Sequence, residues 1–179
     1  MVTGALGGSA AGLALLKRLD RAQALKHEAA VMAHLMPWPR LKAAQLLSSL
    51  PSVTAMVDVR DGIARDLHRL VEQSGAGACL EESLVPRSSA AVEVASVIDS
   101  DSKAWTLFGG EDFELLFTVK KKAVDEVHRC LKREGVPATV IGEIRPKAFG
   151  VKIRNASGDL VPLLPRVWTH FARRSRMRR

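Results

Sequence analysis

Two aspartates that could bind a metal ion stand between an apolar stretch and an amphipathic one. Asp58 and Asp61 lie in the run "MVDVRDGIARDLHRL", and Gly62 follows them. Carboxylate oxygens are ligands that Mg²⁺ prefers, and this ion takes few of them from a protein when substrate phosphates complete its shell. A helix start behind the aspartates would add free amides and a positive dipole end, which favour phosphate. The pattern is therefore typical of a magnesium and phosphate site.

The same stretch has a simpler interpretation. Asp61 could be the N-cap of the following helix, with its carboxylate accepting hydrogen bonds from the amides of the first turn. Asp58 would then be a loop charge that faces water. Acids before helices are frequent, so the residues alone leave both interpretations open.

Two glycine-rich stretches are further candidates. In "FGGEDFELLF" two glycines precede Glu111 and Asp112. The glycines could let the backbone approach a ligand that Glu111 binds, or they could form an ordinary turn with solvated acids. In "VTGALGGSAAGL" no lysine follows the glycines as a P-loop requires, and their spacing does not match the dinucleotide fingerprint. This second stretch is interpreted as a tight strand-to-helix turn.

The histidines and cysteines show no metal-binding pattern. His34, His68 and His128 lie on separate predicted elements, and we interpret them as structural or surface residues. Cys79 and Cys130 are far apart and indicate thiols in a reducing compartment. No stretch approaches the roughly 18 uninterrupted apolar residues of a membrane span. We therefore expect a cytoplasmic protein with no membrane partner.

Composition favours one globular domain and argues against a nucleic-acid partner. Of 179 residues, 47% are hydrophobic, which suits a sizeable core. Aromatic residues make up 4%, with no tyrosine, too few for base-stacking platforms. Five arginines in the last eight residues account for much of the net charge of +8. Residues 172–179 are therefore predicted to be a disordered basic tail, and the composition disfavours nucleic acid as a partner.

The elements that must position these residues follow from the apolar periodicity. An interrupted helix is predicted over residues 9–35 and a shorter one over 41–50, ending at Pro51. The apolar, β-branched run "VTAMVDV" predicts a buried strand that leads into the aspartates. A helix should follow from Ile63 to about Ser74, where glycines end it.

The second half of the chain alternates between strands and helices. The predicted helices are a short one over 89–97 and an amphipathic one over 121–134. Strands are predicted at "AWTLFGG", "FELLFTV" and "PATVIGEI", and a hairpin should turn at residues 155–159. The alternation indicates an α/β (α+β) domain, with helices packed on a mixed sheet.

Six of these stretches together resemble the thiamine-monophosphate kinase family over about residues 2–171. They are, in order, "VTGALGGSAAGLALL", "HLMPWPRL", "MVDVRDGIARDLHRLVEQSGAGA", "LFGGEDFELLFTV", "VIGEI" and "VWTHF". More distant similarity extends to AIR synthetase, selenophosphate synthetase and a hydrogenase maturation factor. The resemblance implies that residues 1–171 form an AIR-synthetase carboxy-terminal-domain-like fold.

The resemblance also implies an activity and partners. Members of the family use ATP and Mg²⁺ to phosphorylate thiamine monophosphate to thiamine diphosphate. They have two domains, and this chain resembles the second, so the amino-terminal ATP and magnesium domain is expected to be absent. A separately encoded amino-terminal half or a homodimer could complete the enzyme. The alternative is a non-catalytic remnant, or a partner-binding domain of the same fold.

Individual site residues follow from matching the family's motifs. Asp58 and Asp61 match magnesium ligands, and Arg60 stands where the family has a serine that touches ATP. Glu111 matches an acid that binds the thiamine substrate, and Trp168 matches an aromatic residue that contacts the same ligand. The implied chemistry is direct phosphoryl transfer, for which no residue here is an obligatory general base. Gly8 is a departure, because the family often has aspartate at that position.

Overall fold

The computed structural model describes residues 1–165, so Trp168 and the tail at 172–179 lie outside the described residues. Within that range, eight helices pack on two four-stranded sheets. The helices are α1 (Gly8–Arg18), α2 (Arg21–Ala24), α3 (Glu28–Leu35), α4 (Leu41–Ser48), α5 (Ile63–Gln73), α6 (Ser89–Val97), α7 (Ser102–Phe108) and α8 (Val124–Arg133). The strands are β1 (Val2–Thr3), β2 (Val53–Asp58), β3 (Ala76–Glu81), β4 (Leu115–Val119), β5 (Ala138–Thr139), β6 (Gly142–Pro146), β7 (Val151–Arg154) and β8 (Leu160–Pro162). The predicted mixed α/β class is confirmed.

The first sheet carries the strand that leads to the candidate aspartates. Its order is β2-β4-β1-β5, and all three pairings are antiparallel. Strand β2 lies at the sheet edge, and its residues are partly exposed rather than buried as predicted. An edge strand has a neighbouring strand on one side only, which explains why the residues of β2 are more exposed than predicted. Asp58 ends this strand directly opposite Leu115 of β4.

One sheet was predicted from the sequence, and the structure has a second. Its order is β6-β3-β7-β8, with β3 and β7 parallel and the other pairs antiparallel. Strand β3, one of the two inner strands, was not predicted, because "AGACLE" has no β-branched residue. The hairpin from β7 to β8 is confirmed, and Asn155 donates its amide N–H to the carbonyl of Asp159 at 2.9 Å.

The segment "PATVIGEI" is shared between the two sheets instead of forming one strand. Strand β5 pairs with β1 in the first sheet, whereas β6 pairs with β3 in the second. Gly142 lies at the start of β6, where a Cβ atom would be 2.1 Å from the carbonyl oxygen of Cys79. Because the two backbones approach so closely, position 142 has no room for a side chain and requires glycine.

The helical predictions are largely confirmed, and one segment that was predicted to be a strand is a helix. Helices α1 to α3 form the interrupted helical region, α6 has the predicted bounds, and α4, α5 and α8 lie where expected. The predicted strand "AWTLFGG" is wrong, because residues 102–108 form α7. Asp101 caps α7 by accepting the amide N–H of Lys103 at 2.8 Å, and Thr106 and Leu107 are buried. A helix cap and one buried face therefore override the apolar, strand-like composition.

Helix α5 connects the cores of the two sheets. Its buried residues Leu67 and Leu70 belong to a core cluster that also contains Leu80 of β3 and Leu116 of β4. A mostly apolar cleft of about 600 Å³ opens between the two sheets. In residues 1–165, none of the helices combines the length and the apolar character needed to cross a membrane.

Candidate functional site

The loop after β2 runs alongside the loop before β4, so the two acidic stretches selected from the sequence are neighbours. Val59 donates its amide N–H to the carbonyl of Glu114 at 2.7 Å and accepts that of Phe113 at 3.0 Å. Further along, the amide N–H of Glu111 donates to the carbonyl of Arg60 at 2.8 Å. The structure thus brings Glu111 to the loop that carries Asp58, Arg60 and Asp61.

Glycine is required where these two loops touch. A Cβ atom on Gly110 would lie 2.2 Å from the carbonyl oxygen of Arg60. Gly62 has a φ of 95°, and a Cβ there would lie 2.9 Å from the backbone of Phe108. Glu111 itself is exposed and has a φ of 66°, in the left-handed region. The glycines therefore permit a close backbone approach that presents the Glu111 side chain to solvent.

Asp61 does not cap α5, so the capping interpretation is wrong. The N-cap is Gly62, which has no side chain to accept a hydrogen bond. The fully buried Asp66 supports the loop instead, since one carboxylate oxygen accepts the amide N–H groups of Arg60 and Asp61, each at 2.9 Å. Burial raises the pKa of Asp66, and these two hydrogen bonds oppose that shift. Asp66 was not predicted to be part of the site, because a charged residue on a helix normally faces water.

Asp61 is surrounded by positive charge. Its Oδ2 atom lies 3.6 Å from Arg60 Nη2, 3.8 Å from Arg65 Nε and 4.0 Å from Arg69 Nη1. Asp58 is exposed at the end of β2. Among residues 1–165, no three His, Cys, Asp or Glu side chains lie close enough together to hold a metal ion. Asp58 and Asp61 nevertheless fit Mg²⁺ as a partial set of hard oxygen ligands, with phosphate oxygens completing the shell.

The glycine-rich turn before α1 is already filled by a carboxylate. Asp112 accepts the amide N–H of Gly7 at 2.8 Å and that of Ser9 at 3.3 Å. Burial raises the pKa of Asp112 to about 6, while these amide hydrogen bonds act in the opposite direction. The turn is therefore a strand-to-helix connection, as predicted, and its amides bind the protein's own carboxylate.

The buried acid Glu114 lies two residues further along. The hydroxyl of Thr3 donates to its carboxylate at 2.6 Å, and a Cβ on Gly4 would lie 1.9 Å from Glu114 Oε1. Asp112 and Glu114 together join the start of the chain to the loop that carries Glu111. Neither role was predicted, because both depend on residues more than a hundred positions away.

The remaining candidates are the three histidines and Trp168. Ser9 Oγ and His34 Nδ1 lie 3.1 Å apart, and His68 Nε2 lies 2.6 Å from the carbonyl oxygen of Leu163. His128 Nε2 is buried without a hydrogen-bond partner among the described residues. Trp168, assigned to the thiamine ligand by resemblance, lies outside the described residues.

Comparison with known proteins identifies relatives of this chain. The chain is 38% identical to thiamine-monophosphate kinase of Salmonella typhimurium over 151 residues, which are 84% of this chain and 45% of that protein. It is 31% identical to the enzyme named thiamine-monophosphate kinase in Bacillus subtilis, covering 95% of this chain and 51% of that protein. The chain therefore spans about half the length of the curated relatives it matches.

Solved structures agree with the sequence comparison. A crystal structure of thiamine-monophosphate kinase from Stenotrophomonas maltophilia superposes with a TM-score of 0.74 at 28% identity, covering 89% of this chain and 50% of that chain. The structure of AaThiL complexed with AMPPCP and TMP also gives 0.74 at 28% identity, covering 95% and 50%. The family model for AIR synthase related protein, C-terminal domain, matches residues 1–153. With most of its length matched in this way, the chain belongs to the family of AIR synthase related protein C-terminal domains.

Proposed function

We propose that the chain is the carboxy-terminal part of a thiamine-monophosphate kinase, which transfers a phosphoryl group from ATP to thiamine monophosphate. The observation that carries this proposal is the backbone hydrogen bond from the amide N–H of Glu111 to the carbonyl of Arg60, at 2.8 Å. It joins the loop assigned to metal and nucleotide by resemblance to the loop assigned to thiamine. The AaThiL structure, which contains AMPPCP and TMP, supports the same pair of ligands.

Each candidate residue has a proposed role in this reaction. Asp58 and Asp61 would hold Mg²⁺, and Arg60 would contact ATP, whereas Glu111 and Trp168 would bind the cationic thiamine. Bound magnesium would offset negative charge between the two reacting phosphate groups. A substrate phosphate is already an anionic nucleophile, so positioning is the main task of the protein.

Three arginines around Asp61 favour an alternative in which the domain binds ligands or a partner without catalysis. A guanidinium competes with a cation for the same carboxylate, which would weaken a magnesium site. A separately encoded amino-terminal half, or a homodimer, remains a proposed partner. We propose the cytoplasm as the compartment, since Cys79 and Cys130 are free thiols and ATP is the co-substrate.

An assay for thiamine diphosphate tests the proposal. The chain is incubated with ATP, Mg²⁺ and thiamine monophosphate, alone and with the separately expressed amino-terminal domain of the Salmonella relative. We expect negligible turnover alone, because two aspartates and one glutamate are few acids for several magnesium ions, and partial turnover with the added domain. A complex of the two pieces that binds both substrates and forms no product would favour the non-catalytic alternative. Robust turnover by the chain alone would refute the need for a second half.

A further inference from the structure

The apolar cleft between the two sheets lies beside the short strand β1. Its volume is about 600 Å³, and its lining includes Phe117 and Val119 of β4, Val140 and Ile141 of the crossing between the sheets, and Leu67 and Leu70 of α5. Strand β1 has two residues, whereas its neighbour β4 has five. The last residues of β4 therefore extend past β1 and border the cleft.

Backbone groups of β4 point towards this cleft. The amine of Met1 donates to the carbonyl of Phe117 at 2.8 Å, and the amide N–H of Phe117 donates to the carbonyl of Met1 at 2.9 Å. In an antiparallel ladder, successive residues of a strand form their hydrogen bonds on opposite sides. Lys120 accordingly donates its amide N–H to the carbonyl of Ser52, on the β2 side, at 3.0 Å. The N–H and carbonyl of Val119 therefore point away from β2, to the side where the cleft lies.

A strand added beside β4 at this place would bury side chains on both of its faces. Successive side chains of a strand point to opposite faces of a sheet. On one face of the first sheet, Phe117 packs in a cluster with Val124 of α8. On the other face, Leu116 packs in a cluster with Leu67 and Leu70 of α5. All five residues line the cleft, so a run of consecutive apolar residues would fit it.

The charges at the cleft favour an occupant that is acidic at one end. The two acids in the lining, Glu81 and Glu143, are each paired with an arginine. Three exposed lysines at residues 120–122 follow the end of β4, and Lys121 lines the cleft. A strand antiparallel to β4 begins opposite the end of β4, so its first residues would lie beside these lysines. Acidic residues are therefore expected at the amino-terminal end of the occupant.

The same charges disfavour the end of this chain as the occupant, because residues 166–179 contain six arginines and no acid. The relatives offer a better source. The matched region is 45% of the Salmonella protein and 51% of the Bacillus protein, so each has another half outside it.

We propose that the apolar cleft binds one extended segment of a partner chain, the amino-terminal half of a thiamine-monophosphate kinase, and that this segment adds a strand beside Val119 of β4. The segment is apolar on both faces and acidic at its amino-terminal end. This inference rests on the proposed function, which supplies the partner. It adds the surface on which that partner docks and the kind of segment that docks there.

Fluorescence polarisation of a labelled peptide with the full chain tests the docking surface. The peptide has about six residues, the usual length of a strand, and consists of two glutamates followed by Val-Leu-Val-Ile. We expect saturable binding that weakens at least about tenfold when proline replaces the leucine, because proline has no N–H to donate to a neighbouring strand. Lysines in place of the glutamates should also weaken binding, and less so with Lys121→Glu, where the charge contrast is smaller.

A matched pair of chain variants separates the cleft from general apolar contact. Ile144 lines the cleft and is 45% exposed, so Ile144→Glu should leave the fold intact and weaken peptide binding at least about tenfold. Val161 is 38% exposed on β8, the other edge strand of the same sheet, and lies outside the cleft lining. Val161→Glu should keep the affinity within about twofold of the wild type. The peptide changes test the inference even if Ile144→Glu fails to fold.

Several outcomes would overturn the inference. Equal losses for Ile144→Glu and Val161→Glu, or undiminished binding of the proline peptide, would exclude strand addition in the cleft. Peptide binding that appears only after removal of residues 166–179 would assign the cleft to this chain's own end. A dimer of the chain that Ile144→Glu dissociates, seen by sedimentation, would assign it to a second copy.

The partner itself is tested by competition. The amino-terminal domain of the Salmonella relative, ending directly before the matched region, should displace the peptide from the wild-type chain. Failure to displace it would overturn the assignment of the partner. Displacement of the peptide without any product in the thiamine diphosphate assay would refute the proposed function alone.

Discussion

Arg40 and Glu114 form a two-pronged ion pair between the proline-rich segment and the loop before β4. Arg40 Nε donates to Glu114 Oε2 at 2.9 Å, and Nη2 donates to Oε1 at 2.7 Å. The Glu114 side chain is 7% exposed, whereas that of Arg40 is 29% exposed. The hydrogen bond to Glu114 raises the pKa of Arg40. A carboxylate buried to this degree depends on its partner, so the pair stabilises the loop that carries Glu111.

Arg40→Met should lower the free energy of unfolding by about 3 kcal/mol, because it leaves Glu114 buried without its cation. The double variant Arg40→Met/Glu114→Gln should recover much of this loss, since no uncompensated charge remains. Urea denaturation of both variants measures the effect. As a control, Arg154→Met breaks the more exposed pair with Glu81, at 3.3 Å, and should cost less than about 1 kcal/mol. Equal losses for Arg40→Met and Arg154→Met would show that the buried pair has no special role.

Gly110→Ala should destabilise the paired loops by about 1–3 kcal/mol, because the new methyl group would meet the carbonyl oxygen of Arg60 at 2.2 Å. Gly8→Ala is the control, since its nearest neighbours are side-chain atoms at 3.2 and 3.3 Å and alanine favours helix. Melting temperatures compare the two variants. A neutral Gly110→Ala would mean that the loops separate without cost.

Asp112→Asn should remove a pH dependence of stability. The pKa of Asp112 is about 6 in the folded protein and 3.8 ordinarily, so the folded state holds its proton more tightly. The contribution of this group to stability is therefore fully present below pH 3.8 and is lost as the pH rises through 6. From pH 4 to pH 7 the wild type should lose up to about 3 kcal/mol relative to Asp112→Asn. Urea titrations of both proteins across this range provide the test, and a constant difference between them would contradict the raised pKa.

Asp58→Asn and Asp61→Asn should weaken magnesium-dependent nucleotide binding while leaving the fold nearly intact. Gly62 rather than Asp61 occupies the N-cap of α5, so Asp61→Asn removes no capping bond. The measurement is a magnesium titration of an ATP analogue bound to the chain together with the added amino-terminal domain. Asp125→Asn, at an exposed position of α8, serves as the control. Magnesium curves that match the wild type in both site variants would rule out these ligands.

The sequence pattern singles out Asp58, Asp61 and Glu111 as candidate ligands, whereas the residues that support their loops could not be predicted from it. Asp58 stands at the end of a strand, and Asp61 and Glu111 each adjoin a glycine, which is a local signal. Asp66 and Glu114 look like an ordinary helix-face acid and a strand-end acid, because their burial depends on tertiary contacts.

The same distinction between local signals and tertiary contacts explains where the predicted secondary structure was wrong. Helix α7 is decided by the Asp101 cap and by packing, although "AWTLF" has the composition of a strand. Strand β3 consists largely of small residues that become a strand because two neighbours pair with them.

The crossing between the two sheets has a consequence for unfolding. Thr139 pairs with Val2 in the first sheet, while the carbonyl of Ile141 accepts the amide N–H of Glu81 in the second at 2.9 Å. One residue, Val140, lies between these two attachments. Loss of strand pairing in one sheet should therefore disturb pairing in the other. The two sheets should therefore melt in a single cooperative transition, and far-ultraviolet circular dichroism and tryptophan fluorescence should give superimposable curves.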